Sequence, residues 1–288
     1  MSETIHDCGS TSIPLRLPLE LERDIFEIAA YKDLGSAYHF LLVAKRVYQW
    51  IEPMVYRVLL RFNARLGRKS RPYPLLYQFE EPRQEPSPRL KQVSAYTTHL
   101  LLQDICADVA ISILKLYNNL EDLALWAISG PYRPLARTLT TLKLQRLSIS
   151  LHFLLLQDSS FKFDPTLFPH LTHLEIVDAA GELDRVWSKL HLLPRLSHLA
   201  LSTPFFDIIS DIRNAVDTLL HDSLTLKFLI LCSTLEFDFG REDPRVVLFD
   251  ASRLSIDDWE HGARGGRDLW TIAEGLQRER QQSENARC

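Results

Sequence analysis

The chain has 288 residues, of which 46% are hydrophobic and 24% charged, the composition of an ordinary globular protein. A formal net charge of -4 gives no reason to expect nucleic acid or an anionic membrane as a partner. The four cysteines form no CxxC pair, the N-terminus lacks the apolar stretch of a signal peptide, and no run approaches the roughly 18 apolar residues of a membrane helix. We therefore expect a cytoplasmic or nuclear protein.

Residues 1–13 are predicted to be a disordered tail, and residues 14–57 to fold as a short helical module. Pro18 suits the first turn of a helix, and the acidic residues that follow it favour a helix N-terminus. Gly35 ends this segment, and Ser36 is predicted to cap a second helix, AYHFLLVAK. A third helical segment, VYQWIEPMVYR, is interrupted by Pro53.

Three blocks of this module resemble the F-box: LPxELxxxI from Leu17, LLVAKR from Leu41 and EPxxYR from Glu52. The F-box is a three-helix module that docks on a Skp-type adaptor and, through it, on the cullin scaffold of SCF ubiquitin ligases. The resemblance implies that the docking residues are Leu17, Pro18, Leu21, Ile25, Leu41, Leu42 and Val43. The alternative is a generic amphipathic helical start that has these spacings without the docking role.

Residues 58–96 are predicted to hold a first strand and then a connector rich in proline and arginine. The stretch from Tyr56 to Phe62 alternates loosely, as a strand does. From Asn63 to Gln92, repeated prolines exclude a regular helix. The connector's basic cluster is either a solvated loop or a contact for an acidic partner.

Residues 97–250 contain a recurring unit, L-x-x-L-x-(L/I), that begins at Leu120, Leu144, Leu171, Leu196 and Leu226. Periods between about 20 and 30 residues are typical of leucine-rich repeats, which this region resembles in a degenerate form. Helical periodicity between the units, at Ile105–Tyr117, Leu183–Leu193 and Phe205–Leu220, predicts stacked strand and helix pairs with a parallel sheet. The alternative is a generic α/β domain in which the leucine spacing is coincidental.

Residues 251–288 depart from the repeat and are predicted to form a C-terminal cap and a polar tail. The stretch from Asp257 to Gly266 suggests a loop, and Asp268–Gln282 suggests a helix that caps the open end of the repeats. The predicted fold class is therefore α/β: a short three-helix F-box module, then an irregular leucine-rich-repeat solenoid with a parallel sheet and a C-terminal capping helix.

Within each strand the leucines are expected to point into the core, so the residues before, between and after them should align on the opposite, concave face. That face is the candidate target-binding surface. Its candidate residues are Asp122, Trp126, Arg146, His173, Glu175, His198 and Phe228. The alternative is that a capping segment covers this face, or that it is merely solvated.

The sequence predicts no catalytic residue, no cofactor and no metal. It has no glycine-rich phosphate loop, no GxSxG and no HExxH. His170 and His173 form HxxH, but residues three apart on a strand point to opposite faces. Cys106 and Cys232 are expected to be small apolar residues of the core.

The leading hypothesis is a substrate adaptor of an SCF-type ubiquitin ligase, whose repeats bind an unidentified target protein. Such an adaptor is not an enzyme; it raises the target's effective concentration near the charged ligase. The second hypothesis is an interaction scaffold outside any ligase, in which the F-box-like helices only cap the repeats. Burial of Leu17, Leu41 and Leu42 would favour the scaffold. The third is an enzyme, which would require a pocket holding charged residues with shifted pKa values.

Overall fold

The structure is a computed structural model that describes residues 17–61, 85–130, 132–150, 168–177, 190–202, 209–233, 243–250 and 255–286. Two compact units are present, Met1–Val55 and Tyr56–Cys288. The predicted helix at Leu183–Leu193 and the basic cluster of the connector lie largely or wholly outside the described residues.

The described residues form nine helices: α1 Leu19–Lys32, α2 Leu34–Phe40, α3 Lys45–Tyr56, α4 Pro88–Ser94, α5 Ala107–Leu114, α6 Tyr132–Leu139, α7 Ile209–Asp222, α8 Ile256–Ala263 and α9 Leu269–Asn285. They also form eight strands: β1 Val58–Arg61, β2 His99–Gln103, β3 Asp122–Trp126, β4 Arg146–Ser150, β5 His173–Val177, β6 His198–Ser202, β7 Phe228–Ser233 and β8 Val246–Asp250.

The strands build one sheet in which each strand pairs in parallel with the next strand along the chain. Register is kept from strand to strand. Leu123 of β3 lies beside Leu147 of β4, which lies beside Leu174 of β5. Because parallel strands need a crossover between them, helices such as α5 and α6 fill the connections. The predicted α/β fold with a parallel sheet is thus confirmed.

One face of the sheet, here called the back face, carries the repeated leucines and isoleucines. Leu123, Leu125 and Ile149 are almost fully buried in one apolar cluster. The same cluster contains Ala110 and Ile113 of α5. Each fully buried aliphatic side chain of this kind contributes about 1.5–3 kcal/mol relative to exposure. The leucine pattern therefore specifies the back face, where the crossover helices pack.

The opposite face, here called the front face, is crossed by α8 and α9. At the β1 side, Arg57 donates to the carbonyl of Ala263 (3.1 Å) and Arg264 donates to the carbonyl of Val58 (3.2 Å). Near β8, Gln277 of α9 donates to the carbonyl of Pro244. The C-terminal segment therefore covers the sheet from one edge to the other, where a cap at the open end alone was predicted.

Burial of apolar side chains is the physical reason for this placement. Trp270 and Ala273 of α9 are buried in a second cluster with residues of the front face. Those residues are Ala200, Ile230, Cys232, Val247 and Phe249. The front face of β6, β7 and β8 is thus apolar enough to hold an amphipathic helix, and the sequence supplies one directly after the last strand.

Three local predictions are corrected by the structure. Ser255 caps α8 by accepting a hydrogen bond from the amide of Asp258 (3.2 Å), so the predicted loop at 257–263 is a helix. Asp33, in place of Ser36, caps α2 by accepting from the amide of Gly35 (2.9 Å). A proline-led helix, α4, lies inside the predicted connector, because proline is tolerated in a helix's first turn.

Candidate functional site

The N-terminal unit exposes a cluster of apolar side chains. Leu42 is 85% exposed and Leu17 is 58% exposed, fractions far above those of a core leucine. The other large apolar side chains exposed here are Leu19, Leu21, Ile25, Ile28, Tyr31 and Val43. Among the described residues outside this unit, only Leu192, Leu224 and Leu276 are comparably exposed. Clustered exposure of this kind marks an interaction surface more often than scattered exposure does.

Part of the cluster is a stripe along α1. Leu21, Ile25 and Ile28 are four and three residues apart, so they lie on the same side of the helix. The other side of α1 packs within the unit, where Phe26 meets Phe40 of α2 edge to face at 5.4 Å. The opposite side of α1 therefore packs inside the unit, and the stripe faces solvent.

A polar contact links α1 to α3 and leaves the stripe exposed. Arg46, at the start of α3, donates to both carboxylate oxygens of Glu22 in α1, at 2.6 and 3.0 Å. Such a two-bond contact fixes orientation as well as distance. Inside α3, Val47 and Ile51 are fully buried.

Of the seven residues to which the resemblance assigns docking, six are exposed: Leu17, Pro18, Leu21, Ile25, Leu42 and Val43. Leu41 is half-buried. Leu41, Leu42 and Val43 lie in the turn between α2 and α3, whereas the sequence predicted that they lie within a helix. Leu42, in this turn, is 85% exposed, whereas Leu21 and Ile25 on α1 are 50% and 54% exposed.

The second candidate site is a pocket of about 330 Å³ between the front face and the C-terminal helices. Its floor includes Ser148, which aligns with Ala124 on β3, and both side chains are small. Three tryptophans, Trp126, Trp259 and Trp270, line its sides. The pocket exists because short side chains under the helices leave space that the large indole rings surround but do not fill.

Two buried carboxyl groups line this pocket. Asp122 is only 8% exposed, and burial raises its pKa to about 7, although the Arg146 charge opposes the shift. Glu175 is equally buried, and burial raises its pKa too; Ser148 and Ser202 hydroxyls oppose this by hydrogen bonding. Ser202 donates to Oε1 of Glu175 at 3.1 Å. Asp122 is in turn hydrogen-bonded by the Trp259 side chain, so both carboxyls have hydrogen-bond partners. The nearby Arg146 guanidinium is paired with Asp268.

An ion pair closes one side of the pocket. Nη1 of Arg146 lies 2.7 Å from Oδ2 of Asp268. Asp268 also begins α9, where its Oδ1 accepts from the amide of Thr271 at 2.8 Å and the Thr271 hydroxyl accepts from the amide of Asp268 at 2.9 Å. One carboxylate therefore caps the helix and fastens it to the sheet.

An aromatic row runs along the front face of β5, β6 and β7. His173 stacks on His198 with ring centroids 4.2 Å apart, and His198 stacks on Phe228 at 4.6 Å. Trp270 meets His173 edge to face at 5.0 Å. Burial lowers the pKa of His173 to about 3 and also lowers that of His198. The His173 ring is therefore neutral at pH 7.

The tautomers of these histidines follow from the residue before each one. Ser197 donates its hydroxyl hydrogen to the Thr172 carbonyl, so Nδ1 of His198, 2.8 Å from that hydroxyl oxygen, is the donor to it. On the other side of the ring, Nε2 of His198 lies 3.3 Å from Oε1 of Glu274, whose charge opposes the lowering of the His198 pKa. Thr172 fixes Nδ1 of His173 in the same way, because it donates to the Gln145 carbonyl.

The seven residues predicted for the target-binding face do share the front face, in the predicted register. They do not form an open surface. Asp122, Glu175 and His198 are buried, and Trp126, Arg146, His173 and Phe228 are half-buried, since α8 and α9 lie over them. The open concave face is therefore corrected to a covered face with a pocket.

The pocket residues that the sequence analysis missed are Trp259, Asp268 and Trp270. Two of the five tryptophans fall within the last 37 residues, and that concentration was the signal available. A polar tail or simple cap needs no buried indole, so the tryptophans indicated that this segment packs on something.

The described part of the chain contains no group of three or more His, Cys, Asp or Glu side chains placed to hold a metal ion. Among the helices in the described ranges, none is long and apolar enough to cross a membrane. No protein-family model matches the chain. A search of curated proteins likewise finds no match. The F-box resemblance stays a prediction.

Proposed function

We propose that the protein is a substrate adaptor of an SCF-type ubiquitin ligase, and that its N-terminal unit docks on a Skp-type adaptor and so on a cullin. The observation that supports this most is the exposed apolar cluster of α1 and the α2–α3 turn. Removing apolar surface from water is favourable by roughly 25 cal/mol for each Å² buried. A partner that covers this cluster would therefore be stabilised on it by the burial.

The scaffold hypothesis predicted burial of Leu17, Leu41 and Leu42. Leu17 and Leu42 are exposed, and Leu41 is half-buried, which favours the adaptor proposal over the scaffold. The Tyr56–Cys288 unit would then bind the target protein. Its front face is occupied by α8 and α9, so the proposal assigns target binding to this unit as a whole and to no residue of the covered face.

Catalysis is left out of the proposal. The enzyme hypothesis required a pocket that holds charged residues with shifted pKa values, and the carboxyl groups of this pocket have them. The nearby thiol of Cys232 is a poor nucleophile, because burial raises its pKa. The hydroxyls of Ser197 and Thr172 donate to backbone carbonyls, so the adjacent histidines do not act on them as bases.

The test is a binding titration of the full chain with a purified Skp-type adaptor. Leu42→Lys should weaken binding at least about tenfold, since it places a charge in the contact. Leu224→Lys is the matched control, because Leu224 is 97% exposed but lies in the other unit. Joint replacement of Leu17 and Pro18 by Ala should weaken binding less.

Failure of the wild-type chain to bind, with its circular dichroism spectrum intact, would overturn the proposal. Equal weakening by Leu42→Lys and Leu224→Lys would do the same, because binding would then depend on surface charge and not on the apolar cluster.

A further inference from the structure

The front-face pocket has a volume of about 330 Å³, at the lower end of the range of about 300–1,000 Å³ that small-molecule sites occupy. It combines apolar walls with a few convergent polar groups, the usual composition of a ligand site. A site in this pocket does not depend on whether the N-terminal unit docks on an adaptor, since all its lining residues belong to the Tyr56–Cys288 unit.

The charges that line the pocket are predominantly negative. Four carboxyl groups, those of Asp122, Glu175, Asp258 and Asp268, face two guanidinium groups, those of Arg146 and Arg267. Arg146 is already bonded to Asp268. Among the described residues, Asp122 and Glu175 form no ion pair, so the pocket holds two buried carboxyls without a bound cation.

Burial of a carboxylate without a neutralising partner is unfavourable, and the group then holds its proton to a higher pH. Both carboxyls behave in this way, because burial raises their pKa values. Asp122 and Glu175 are close enough for each charge to raise the cost of the other, so a cation in the pocket would reduce the penalty for both. Ser148 and Ser202 already orient Glu175 by hydrogen bonds, so the carboxylate would not need to reorganise to accept one.

The walls of the pocket suit the same ligand. Trp126, Trp259 and Trp270 offer indole rings, which attract cations more strongly than other aromatic side chains do. Nε1 of Trp126 donates to the Ser148 hydroxyl at 2.7 Å, which holds this ring at the edge of the floor. Leu269 and Ile272 add apolar surface beside the indoles.

We propose that this pocket binds a small organic cation, namely a primary ammonium group carried on a compact apolar or aromatic body. The ammonium group would lie against the carboxylates of Asp122 and Glu175, and the apolar body would contact the indole rings. An anionic ligand is disfavoured because it would meet the two carboxyls, while the Arg146 guanidinium is engaged elsewhere.

A series of three probes of nearly equal shape tests the proposal on the wild-type full chain. The probes are phenethylamine, 2-phenylethanol and 3-phenylpropanoate, which are cationic, neutral and anionic at pH 8. Quenching of tryptophan fluorescence reports binding, because three of the protein's indoles line the pocket. Phenethylamine should saturate the signal with a Kd of about a millimolar or tighter, and the other two should bind at least about tenfold more weakly.

Two variants locate the site. Asp122→Asn and Glu175→Gln should each weaken phenethylamine binding at least about tenfold and leave 2-phenylethanol unchanged. Asp108→Asn is the matched control, since Asp108 is exposed on α5 and is not among the pocket's lining residues. Thermal denaturation of each variant confirms that it is folded.

Three outcomes would overturn the proposal: no saturable binding of phenethylamine, equal binding of all three probes, or tighter binding of 3-phenylpropanoate. The comparison of probes needs no variant, so it decides the matter even if Glu175→Gln does not fold. Loss of phenethylamine binding in Asp108→Asn to the same degree as in Asp122→Asn would also count against it.

Discussion

The N-terminal and C-terminal units differ in how far they expose similar apolar side chains to solvent. In the N-terminal unit, Leu42 and the α1 stripe are left open to solvent. In the C-terminal unit, the back-face leucines are buried by crossover helices, and even the front face is covered by α8 and α9. One unit leaves apolar surface exposed to solvent, and the other buries most of its apolar surface within its own chain.

The difference has a basis in chain length. Three short helices enclose a core of only a few side chains, such as Val47 and Ile51, so a module of this size buries a smaller share of its surface than a large domain does. The C-terminal unit has eight strands to stack and a spare amphipathic segment after the last strand. The apolar surface of its front face is therefore covered by its own helices, α8 and α9.

Weakening the contact between α9 and the front face should give the largest loss in the free energy of unfolding. Trp270→Ala should lower the free energy of unfolding by about 3–5 kcal/mol, because a buried indole is replaced by a cavity. Urea denaturation measures this change. Trp270→Phe is the control, since it keeps an aromatic ring beside His173 and should lose much less. A loss below about 1 kcal/mol would mean that α9 does not depend on this anchor.

The sequence predicted the parallel sheet and its register because the leucine spacing repeats in five of the strands, β3 to β7. Asp122, Arg146 and His173 were placed side by side by counting alone, and the structure pairs them in that way. Their environment could not be predicted by counting. Alternation tells which face a side chain points to, but it does not tell what covers that face.

The sequence analysis gave a cover over this face only as an alternative, because the cover depends on contacts distant in the sequence. Arg146 meets Asp268 across 122 residues, and Arg57 reaches Ala263 across 206 residues. The helical pattern of α9 was visible in the sequence, whereas its docking on Ala200 and Ile230 depends on shape complementarity. In the N-terminal unit the contacts are mostly local, so the prediction of three helices needed correction only at caps and boundaries and at Pro53, which lies inside an unbroken α3 and does not interrupt it.

Replacement of two glycines of the C-terminal segment by alanine should change the free energy of unfolding in opposite directions. A Cβ at Gly262 would lie 2.4 Å from Cβ of Asp268, so Gly262→Ala must displace the residue that caps α9 and bonds to Arg146. We expect a loss of about 1–3 kcal/mol in the free energy of unfolding.

Gly275→Ala is the matched variant for Gly262→Ala. Nothing lies within 4 Å of a Cβ at Gly275, which is inside α9. This variant should gain about 0.5–1 kcal/mol, since alanine favours a helix more than glycine does. Urea denaturation of both variants tests the close approach of α8 to α9. The two changes in the free energy of unfolding need not be equal in size. A Gly262→Ala variant more stable than wild type would contradict the close approach of α8 to α9.

The buried histidines should make the covered face sensitive to acid. The folded-state pKa of His173 is lowered by burial to about 3 from an ordinary value of 6.5, so the unfolded state binds the proton first. The stability that neutral His173 maintains is complete above about pH 6.5 and declines as the pH falls toward about 3, by at most about 1.4 kcal/mol per pH unit. Urea denaturation between pH 7 and pH 5 should show a shallower decline for His173→Gln than for wild type. Parallel pH profiles of the two proteins would show that this ring does not titrate on unfolding.

The smallest effect on stability is expected at the most exposed leucine of the N-terminal unit. Leu42→Ala removes a side chain that is 85% exposed, so the free energy of unfolding should change by less than about 0.5 kcal/mol. Leu229→Ala, at a fully buried position of β7, is the counterpart, for which we expect a loss of about 2–5 kcal/mol. Urea denaturation compares the two variants directly. If Leu42→Ala were as destabilising as Leu229→Ala, the apolar cluster would be part of a core, and its exposure would give no reason to expect a partner. If Leu42→Ala leaves stability unchanged but weakens binding to the Skp-type adaptor, the side chain serves the interface and not the fold.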